Sequence, residues 1–199
     1  MSLLRAFIAV DIPTPIRHII QQKIDRLRTM PGASSVRWVS ANNIHLTLKF
    51  LGDIPSTAVD GLTSTLRGVT DSVNAFDLEV GGLASFPSPR RARVLFIGIQ
   101  APAGLDALQQ GIESACARLG YPPEPRVFSP HLTIGRIKQE SSAVEQQKIR
   151  STIADFHIDS LGTARVDSVH LYRSDLRPQG AVYTKLSSVP LRPVRISTP

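Results

Sequence analysis

A short motif occurs twice in this sequence, as His-Leu-Thr-Leu at 45–48 and, 86 residues later, as His-Leu-Thr-Ile at 131–134. Side chains two positions apart on an extended strand point to the same face of a sheet. Each copy would therefore direct an imidazole and a hydroxyl to one face and two aliphatic side chains to the other. The motif predicts two β-strands, each with a buried face and a face that is free for chemistry.

The elements predicted around the two copies also repeat. In each half a strand is followed by an amphipathic helix and then by the motif-bearing strand. The predicted residues are 5–10, 14–27 and 44–51 in the first half, and 93–99, 102–119 and 131–134 in the second. The repeated order predicts an internal duplication, with motif-bearing segments at about 5–52 and 93–138. Without a recognisable linker, residues 1–199 are predicted to form one bilobal α+β domain with pseudo-two-fold symmetry.

Local signals supply further expectations. Thr14 is a candidate helix cap, and Ser142 with Glu145 forms a candidate capping box at the start of a later helix. Strands are predicted at about 75–80, 165–172 and 181–186. Gly81-Gly82 is predicted to form a turn after the first of them.

The composition limits the partners and the compartment. The net charge of +7 and the isoelectric point near 10.2 favour a phosphate-bearing partner. No apolar run is long enough to span a membrane, and the first residues lack a signal-peptide cleavage site. The single cysteine, Cys116, fits a reducing compartment and a core position. We therefore expect a cytoplasmic protein that does not bind membranes.

Two histidines that face one cleft form an acid–base pair, because the ordinary pKa of histidine allows both protonation states near neutrality. A metal site is not predicted, because neither motif contains a carboxylate or a thiol as an additional ligand. Nucleophilic attack by Thr47 or Thr133 is not favoured either, because no third group is evident to orient them. Concerted acid–base catalysis by His45 and His131 fits the symmetry best.

The hydroxyls and nearby side chains indicate a phosphodiester as substrate. Thr47 and Thr133 are positioned to hold two non-bridging oxygens between the imidazoles. Strand alternation predicts that Lys49 points into the cleft, whereas Arg136 needs its length or a kink at the preceding glycine. Phe128 is a candidate for stacking on a base, although packing in the core is its alternative role.

Segments 38–52 and 129–136 resemble the two-histidine (2H) phosphoesterases, specifically the RNA 2′,3′-cyclic phosphodiesterases, also called 2′-5′ RNA ligases. The resemblance implies antiparallel sheets that line a central cleft, with helices outside. It implies hydrolysis of a terminal 2′,3′-cyclic phosphate to a 2′-phosphate without a metal or nucleotide cofactor. By the same resemblance His45 is the general acid, His131 is the general base, and Thr47, Thr133 and Arg136 hold the phosphate.

Two alternatives remain open at this stage. One is a sister activity on ADP-ribose cyclic phosphate or on 2′-5′ oligonucleotides, and the other is a non-catalytic RNA-binding protein. The expected partner is RNA or a nucleotide that ends in a 2′,3′-cyclic phosphate. The protein is expected to be a monomer.

Overall fold

The chain folds around two antiparallel β-sheets. The computed structural model describes residues 2–178 and 180–193, and in them the chain forms nine strands and four α-helices. The strands are β1 (Leu3–Asp11), β2 (Val36–Trp38), β3 (His45–Pro55), β4 (Phe76–Phe86), β5 (Val94–Gln100), β6 (His131–Ile137), β7 (Ser160–Val166), β8 (Ser168–Arg177) and β9 (Gly180–Pro190). The helices are α1 (Thr14–Arg28), α2 (Val59–Thr70), α3 (Ala103–Arg118) and α4 (Ala143–Asp155).

Each motif begins a strand in a different sheet. The first sheet has the order β3-β1-β8-β9, and the second has the order β2-β6-β5-β4-β7. Neighbouring strands within both sheets are antiparallel. We call the part built on the first sheet the first lobe and the part built on the second sheet the second lobe. The predicted α+β class, with antiparallel sheets in two lobes, is confirmed.

The two sheets have corresponding strand orders once β2 is set aside. The strand order β3-β1-β8-β9 then matches β6-β5-β4-β7, with a motif strand first in each series. The additional strand β2 comes from the first half of the chain but pairs with β6 of the second lobe. Within the described residues β3 is therefore an edge strand of the first sheet, whereas β6 has a neighbour on both sides.

One hydrophobic core joins the lobes. The apolar positions of α1 are spaced at three or four residues and are buried, as the sequence predicts: Ile16, Ile20, Ile24 and Leu27. Helix α2 packs against β8, β9 and α3, and α3 also contacts β3. The helices thus cover the aliphatic faces of the sheets and leave the motif faces free.

The capping box at Ser142 and Glu145 is confirmed, and two other local predictions are wrong. Helix α1 begins at Thr14 itself with Pro13 as its cap, and the Thr14 hydroxyl accepts a hydrogen bond from the Arg17 guanidinium. No turn occurs at Gly81-Gly82, because β4 continues through both residues. The positive φ of Gly82, 77°, lies where the register of β4 against β5 shifts. The glycine pair therefore makes a β-bulge within a strand.

Candidate active site

The two motifs lie on neighbouring strands of the two lobes. Strands β3 and β6 contact each other, and the charge of His131 acts on the pKa of His45. Within each motif the histidine and threonine are partly exposed, whereas the residues between and after them are buried at 0–3% exposure. The predicted alternation is therefore confirmed, and the two imidazoles project from the exposed faces of neighbouring strands, which we call the cleft faces.

Both histidines are held in the same way by the backbone. The Nδ1 atom of His45 lies 2.8 Å from the carbonyl oxygen of Asn43, and Nδ1 of His131 lies 2.7 Å from that of Ser129. A carbonyl oxygen only accepts hydrogen bonds, so Nδ1 must carry a proton in both rings. In each neutral ring Nε2 is then the basic nitrogen, and in each charged ring Nε2–H is the remaining acid.

Aromatic side chains surround both imidazoles. The ring centroid of His45 lies 4.7 Å from that of Phe7 and 5.1 Å from that of Tyr183. His131 has Phe86 and Phe96 at centroid distances of 5.0 and 5.3 Å. These walls fix the ring planes and reduce contact with water.

The surroundings of His45 lower its pKa. Burial is the largest cause, and the charge of His131 acts in the same direction. The Asn43 carbonyl and the Asp11 carboxylate act in the opposite direction without cancelling the effect. The neutral form of His45 is therefore favoured in the free protein.

The fourth residue of the motif forms a β-bulge in each lobe. Ala9 pairs with Thr47 and Ile8 with Lys49, so Leu48 is the extra residue in β3. In the second lobe Phe96 pairs with Thr133 and Leu95 with Gly135, so the extra residue is Ile134. Because an extra residue reverses strand alternation, the residue after each bulge turns toward the core and the next one turns toward the cleft.

The bulge corrects the prediction for Lys49, which does not point into the cleft. Its partner Ile8 is fully buried, and the Lys49 side chain is only 2% exposed. The ammonium donates to the Glu113 carboxylate at 2.6 Å and to the Pro122 carbonyl at 2.9 Å. The prediction for Lys49 was wrong because it counted alternate residues along a strand without a bulge.

The equivalent bulge in β6 brings Arg136 to the cleft face. Arg136 pairs with Val94, which lies on the same side of β5 as Phe96 beside His131. The predicted kink is present, although it falls at Ile134 instead of at Gly135. The positive charge of Arg136 also affects Tyr183 of the first lobe. Burial raises the pKa of Tyr183, and the charges of Arg136 and Arg5 oppose that rise.

Phe128 lies between α3 and β6, without a helix or strand assignment, and is partly buried against the hydrophobic core. Its ring makes no aromatic contact with His45 or His131 among the described residues. A role in base stacking stays a prediction.

A polar network beside His45 was missed by the sequence reasoning. The Asp11 carboxylate accepts hydrogen bonds from the Tyr172 hydroxyl at 2.6 Å and from the Lys185 ammonium at 2.9 Å. His170 Nε2 lies 3.5 Å from the same carboxylate. The four residues come from β1, β8 and β9, so their association depends on the order of the first sheet and no local motif signals it.

This network borders a pocket of about 200 Å³ that also includes His45, Arg17 and Asn42. Burial would raise the pKa of Asp11, but the hydrogen bonds from Tyr172 and Lys185 lower it. Burial and the bond to Asp11 raise the pKa of Tyr172 well above its ordinary range. Asp11 is thus an anion next to the first imidazole, held by two donors.

Residues 2–178 and 180–193 contain no cluster of three or more histidine, cysteine or carboxylate side chains arranged to hold a metal ion. Within the same residues, no helix combines the length and apolar character needed to cross a membrane.

Comparison with known proteins gives consistent matches over nearly the whole chain. A family model described as the 2′-5′ RNA ligase superfamily matches residues 15–178. An RNA 2′,3′-cyclic phosphodiesterase of Methanothermobacter thermautotrophicus is 31% identical over 182 residues, which are 92% of this chain and 96% of that protein.

Solved structures agree with the sequence matches. The crystal structure of TT0787 of Thermus thermophilus has a TM-score of 0.79 and 25% identity, and covers 96% of this chain and 100% of its own. The structure of E. coli LigT complexed with 3′-AMP has a TM-score of 0.75 and 27% identity over 96% of this chain and 99% of its own. Together with the paired motifs, these matches show that the chain belongs to the 2′-5′ RNA ligase superfamily.

Proposed function

We propose that this protein is an RNA 2′,3′-cyclic phosphodiesterase, which opens a terminal 2′,3′-cyclic phosphate with water and leaves a 2′-phosphate. The observation that carries the proposal is the pair of imidazoles, each with Nδ1–H on a backbone carbonyl and with Nε2 as its reactive nitrogen. Curated relatives with this activity match the chain over most of its length. Such a pair supplies one proton acceptor and one proton donor to the same reacting phosphorus.

The reaction needs one proton transfer on each side of phosphorus. Nε2 of neutral His131 takes a proton from water as the water oxygen bonds to phosphorus. The bond from phosphorus to O3′ breaks, and Nε2–H of charged His45 gives its proton to O3′. The 2′ oxygen keeps the phosphate, so charge and atoms balance. Each histidine typically contributes a factor of about 10² to 10⁴ to the rate.

Thr47 and Thr133 supply hydroxyl donors for the two non-bridging oxygens. Arg136 adds a positive charge on the cleft face and stabilises the charge that develops on phosphorus. Its planar guanidinium suits a phosphate because it can donate two parallel hydrogen bonds. Lys49 has no part in this step, because its ammonium is bound to Glu113.

The acid role of His45 needs the bound substrate. Burial lowers the pKa of His45 in the free protein, which favours the neutral form. A phosphodiester anion in the cleft favours the charged form of a nearby imidazole. Substrate binding therefore shifts His45 toward the state that the acid role requires.

The main test uses an RNA that ends in a 2′,3′-cyclic phosphate, incubated with the protein in the presence of a chelator. We expect a 2′-phosphate terminus, identified by its resistance to enzymes that remove only 3′-phosphates. His157→Gln is a matched control, because His157 is exposed and its Nδ1 also lies 3.0 Å from a carbonyl two residues earlier. The proposal fails if His45→Gln and His131→Gln are as active as this control.

A second substrate assigns the acid and the base. A phosphodiester with a nitrophenolate leaving group needs little protonation of the departing oxygen. We expect His45→Gln to regain activity on this substrate, whereas His131→Gln stays inactive because water still has to lose a proton. The reverse pattern would exchange the two roles.

The same geometry allows 2′-5′ ligation, with a 5′-hydroxyl in place of water and no nucleotide cofactor.

We further propose that the protein is a cytoplasmic monomer. Cys116 is buried, and burial raises its thiol pKa to about 11, which fits a structural thiol in a reducing compartment. Light scattering at several concentrations tests the monomeric state.

A further inference from the structure

The additional strand β2 places a second arginine beside Arg136. Arg37 and Arg136 lie directly opposite each other on the antiparallel pair β2 and β6. Residues opposite each other on such a pair project from the same face of the sheet. Arg37 is exposed, as is Arg136.

The face can be identified from Gly135, the residue before Arg136. A Cβ atom on Gly135 would lie 2.7 Å from Val36 and 3.3 Å from the Trp38 ring, and both of these pack in or against the core. Arg37, which precedes Trp38, and Arg136, which follows Gly135, must therefore project the opposite way. Arg37 and Arg136 consequently lie on the cleft face, in line with Thr133.

The two arginines have no acidic partner on their own strands or on the adjacent strand β5. Strands β2, β5 and β6 contain no aspartate or glutamate. Neither arginine forms an ion pair within the described parts of the chain. Like charges directly opposite each other on neighbouring strands are unfavourable, and an anion between them removes that repulsion.

The position of the pair matches a second phosphate. From Thr133 to Arg136 the strand advances about 7 Å, since the bulge reduces three residues to two regular steps. Arg37 lies on the far side of Arg136 from β5 and its phenylalanine. An anion at Arg37 is therefore a neighbour of the reacting phosphate along the cleft.

We propose that Arg37 binds the phosphodiester that joins the terminal nucleotide to the rest of the RNA chain. Arg136 then lies between this phosphate and the cyclic one. The proposal rests on the proposed function and adds a substrate class, because Arg37 makes the site prefer an RNA chain to a mononucleotide. Arg37 acts through binding and does not touch the reacting atoms.

The test compares two substrates with the same terminal base, a 2′,3′-cyclic mononucleotide and a dinucleotide that ends in the same cyclic phosphate. For Arg37→Gln we expect KM for the dinucleotide to rise about tenfold, the loss of one charge-assisted contact. We expect kcat, and both constants for the mononucleotide, to stay within about twofold. Arg67→Gln, which removes an exposed arginine of α2, controls for net charge.

Salt dependence supplies an independent readout. Losing one contact to a single-stranded phosphate should make the slope of log KM against log salt shallower by about 0.7 for the dinucleotide alone. A variant that merely loosened the fold would not change this slope for one substrate only.

Three outcomes overturn the proposal. Arg37→Gln could leave both substrates unaffected, impair both equally, or impair only ligation to a 5′-hydroxyl strand. If the unmodified protein hydrolyses neither substrate, the proposed function itself fails and the Arg37 proposal fails with it.

Discussion

The two motif strands share one backbone event and differ in the side chains that it redirects. Both β3 and β6 have a bulge at the fourth residue of the motif, at Leu48 and Ile134. The next residue turns to the core and is Lys49 in the first lobe but Gly135 in the second. The residue after that turns to the cleft and is Phe50 in the first lobe but Arg136 in the second. Equivalent backbones therefore present a phenylalanine to the cleft in the first lobe and an arginine in the second.

The difference at the buried position follows from the neighbouring strands. Beside β6, strand β2 leaves no room for a side chain at Gly135, where a Cβ would lie 2.7 Å from Val36. Strand β3 has no such neighbour in the part of the chain that the structure describes, and Lys49 extends to Glu113 on α3. Pseudo-symmetry of the strands thus does not extend to the environment of each residue.

The largest expected effect is on kcat and comes from the two histidines, one of which each lobe supplies. We expect His45→Ala and His131→Ala each to reduce kcat by about 10³-fold, because each ring transfers one proton in the same step. The double variant should be little worse than either single variant, since the two act as a unit. Single-turnover hydrolysis of a cyclic-phosphate RNA measures all three. A double variant with the product of the two single losses would contradict concerted action.

The next effect concerns stability and the first lobe only. Lys49→Met leaves the Glu113 carboxylate, 16% exposed, without its cation, so the free energy of unfolding should fall by about 3–5 kcal/mol. Urea denaturation measures this loss. The double variant with Glu113→Leu should recover most of it, because neither charge then stays buried alone. A rise in KM without any loss of stability would contradict this interpretation and indicate that Lys49 contacts the substrate in the cleft.

Arg136 and Phe50 occupy equivalent positions in the two lobes, so moving the arginine from one position to the other tests whether the lobes are interchangeable. We expect Arg136→Gln to reduce kcat by about 10²-fold, as for loss of one donor to a developing charge. Phe50 is 64% exposed, so Phe50→Ala should change the free energy of unfolding by no more than about 0.5 kcal/mol. Adding Phe50→Arg to Arg136→Gln should not restore activity. Full restoration would show that the lobes are functionally interchangeable.

The smallest expected effect is the pH dependence of stability from His45. Its pKa in the folded protein lies below its ordinary value of 6.5, so the unfolded chain binds more protons between the two values. Stability from this group is therefore present above 6.5 and is lost as the pH falls through the folded-state pKa. We expect His45→Gln to flatten the rise of unfolding free energy with pH below 6.5. An unchanged slope in urea titrations across that range would contradict a lowered pKa.

Much of the fold and of the site could be predicted from local patterns. The spacing of His45 with Thr47 and of His131 with Thr133 is a period-two signal, and burial of the residues between them confirms it. The helices follow from apolar spacing, and the capping box at Ser142 was readable because its two partners are three residues apart. The wrong predictions at Lys49 and at Gly81-Gly82 share a cause, because a bulge depends on pairing with a neighbouring strand.

The sequence by itself determined which residues are the candidates for the chemistry, because a doubled His-x-Thr motif on strands specifies two imidazoles and two hydroxyls on exposed faces. Tertiary structure decided what surrounds them. The two bulges turn Arg136 toward the cleft and Lys49 away from it, and the pairing of β2 with β6 places Arg37 beside Arg136. The face to which a side chain points and the residues beside it depend on pairing between strands that are distant in sequence. The local sequence of a single strand does not specify that pairing.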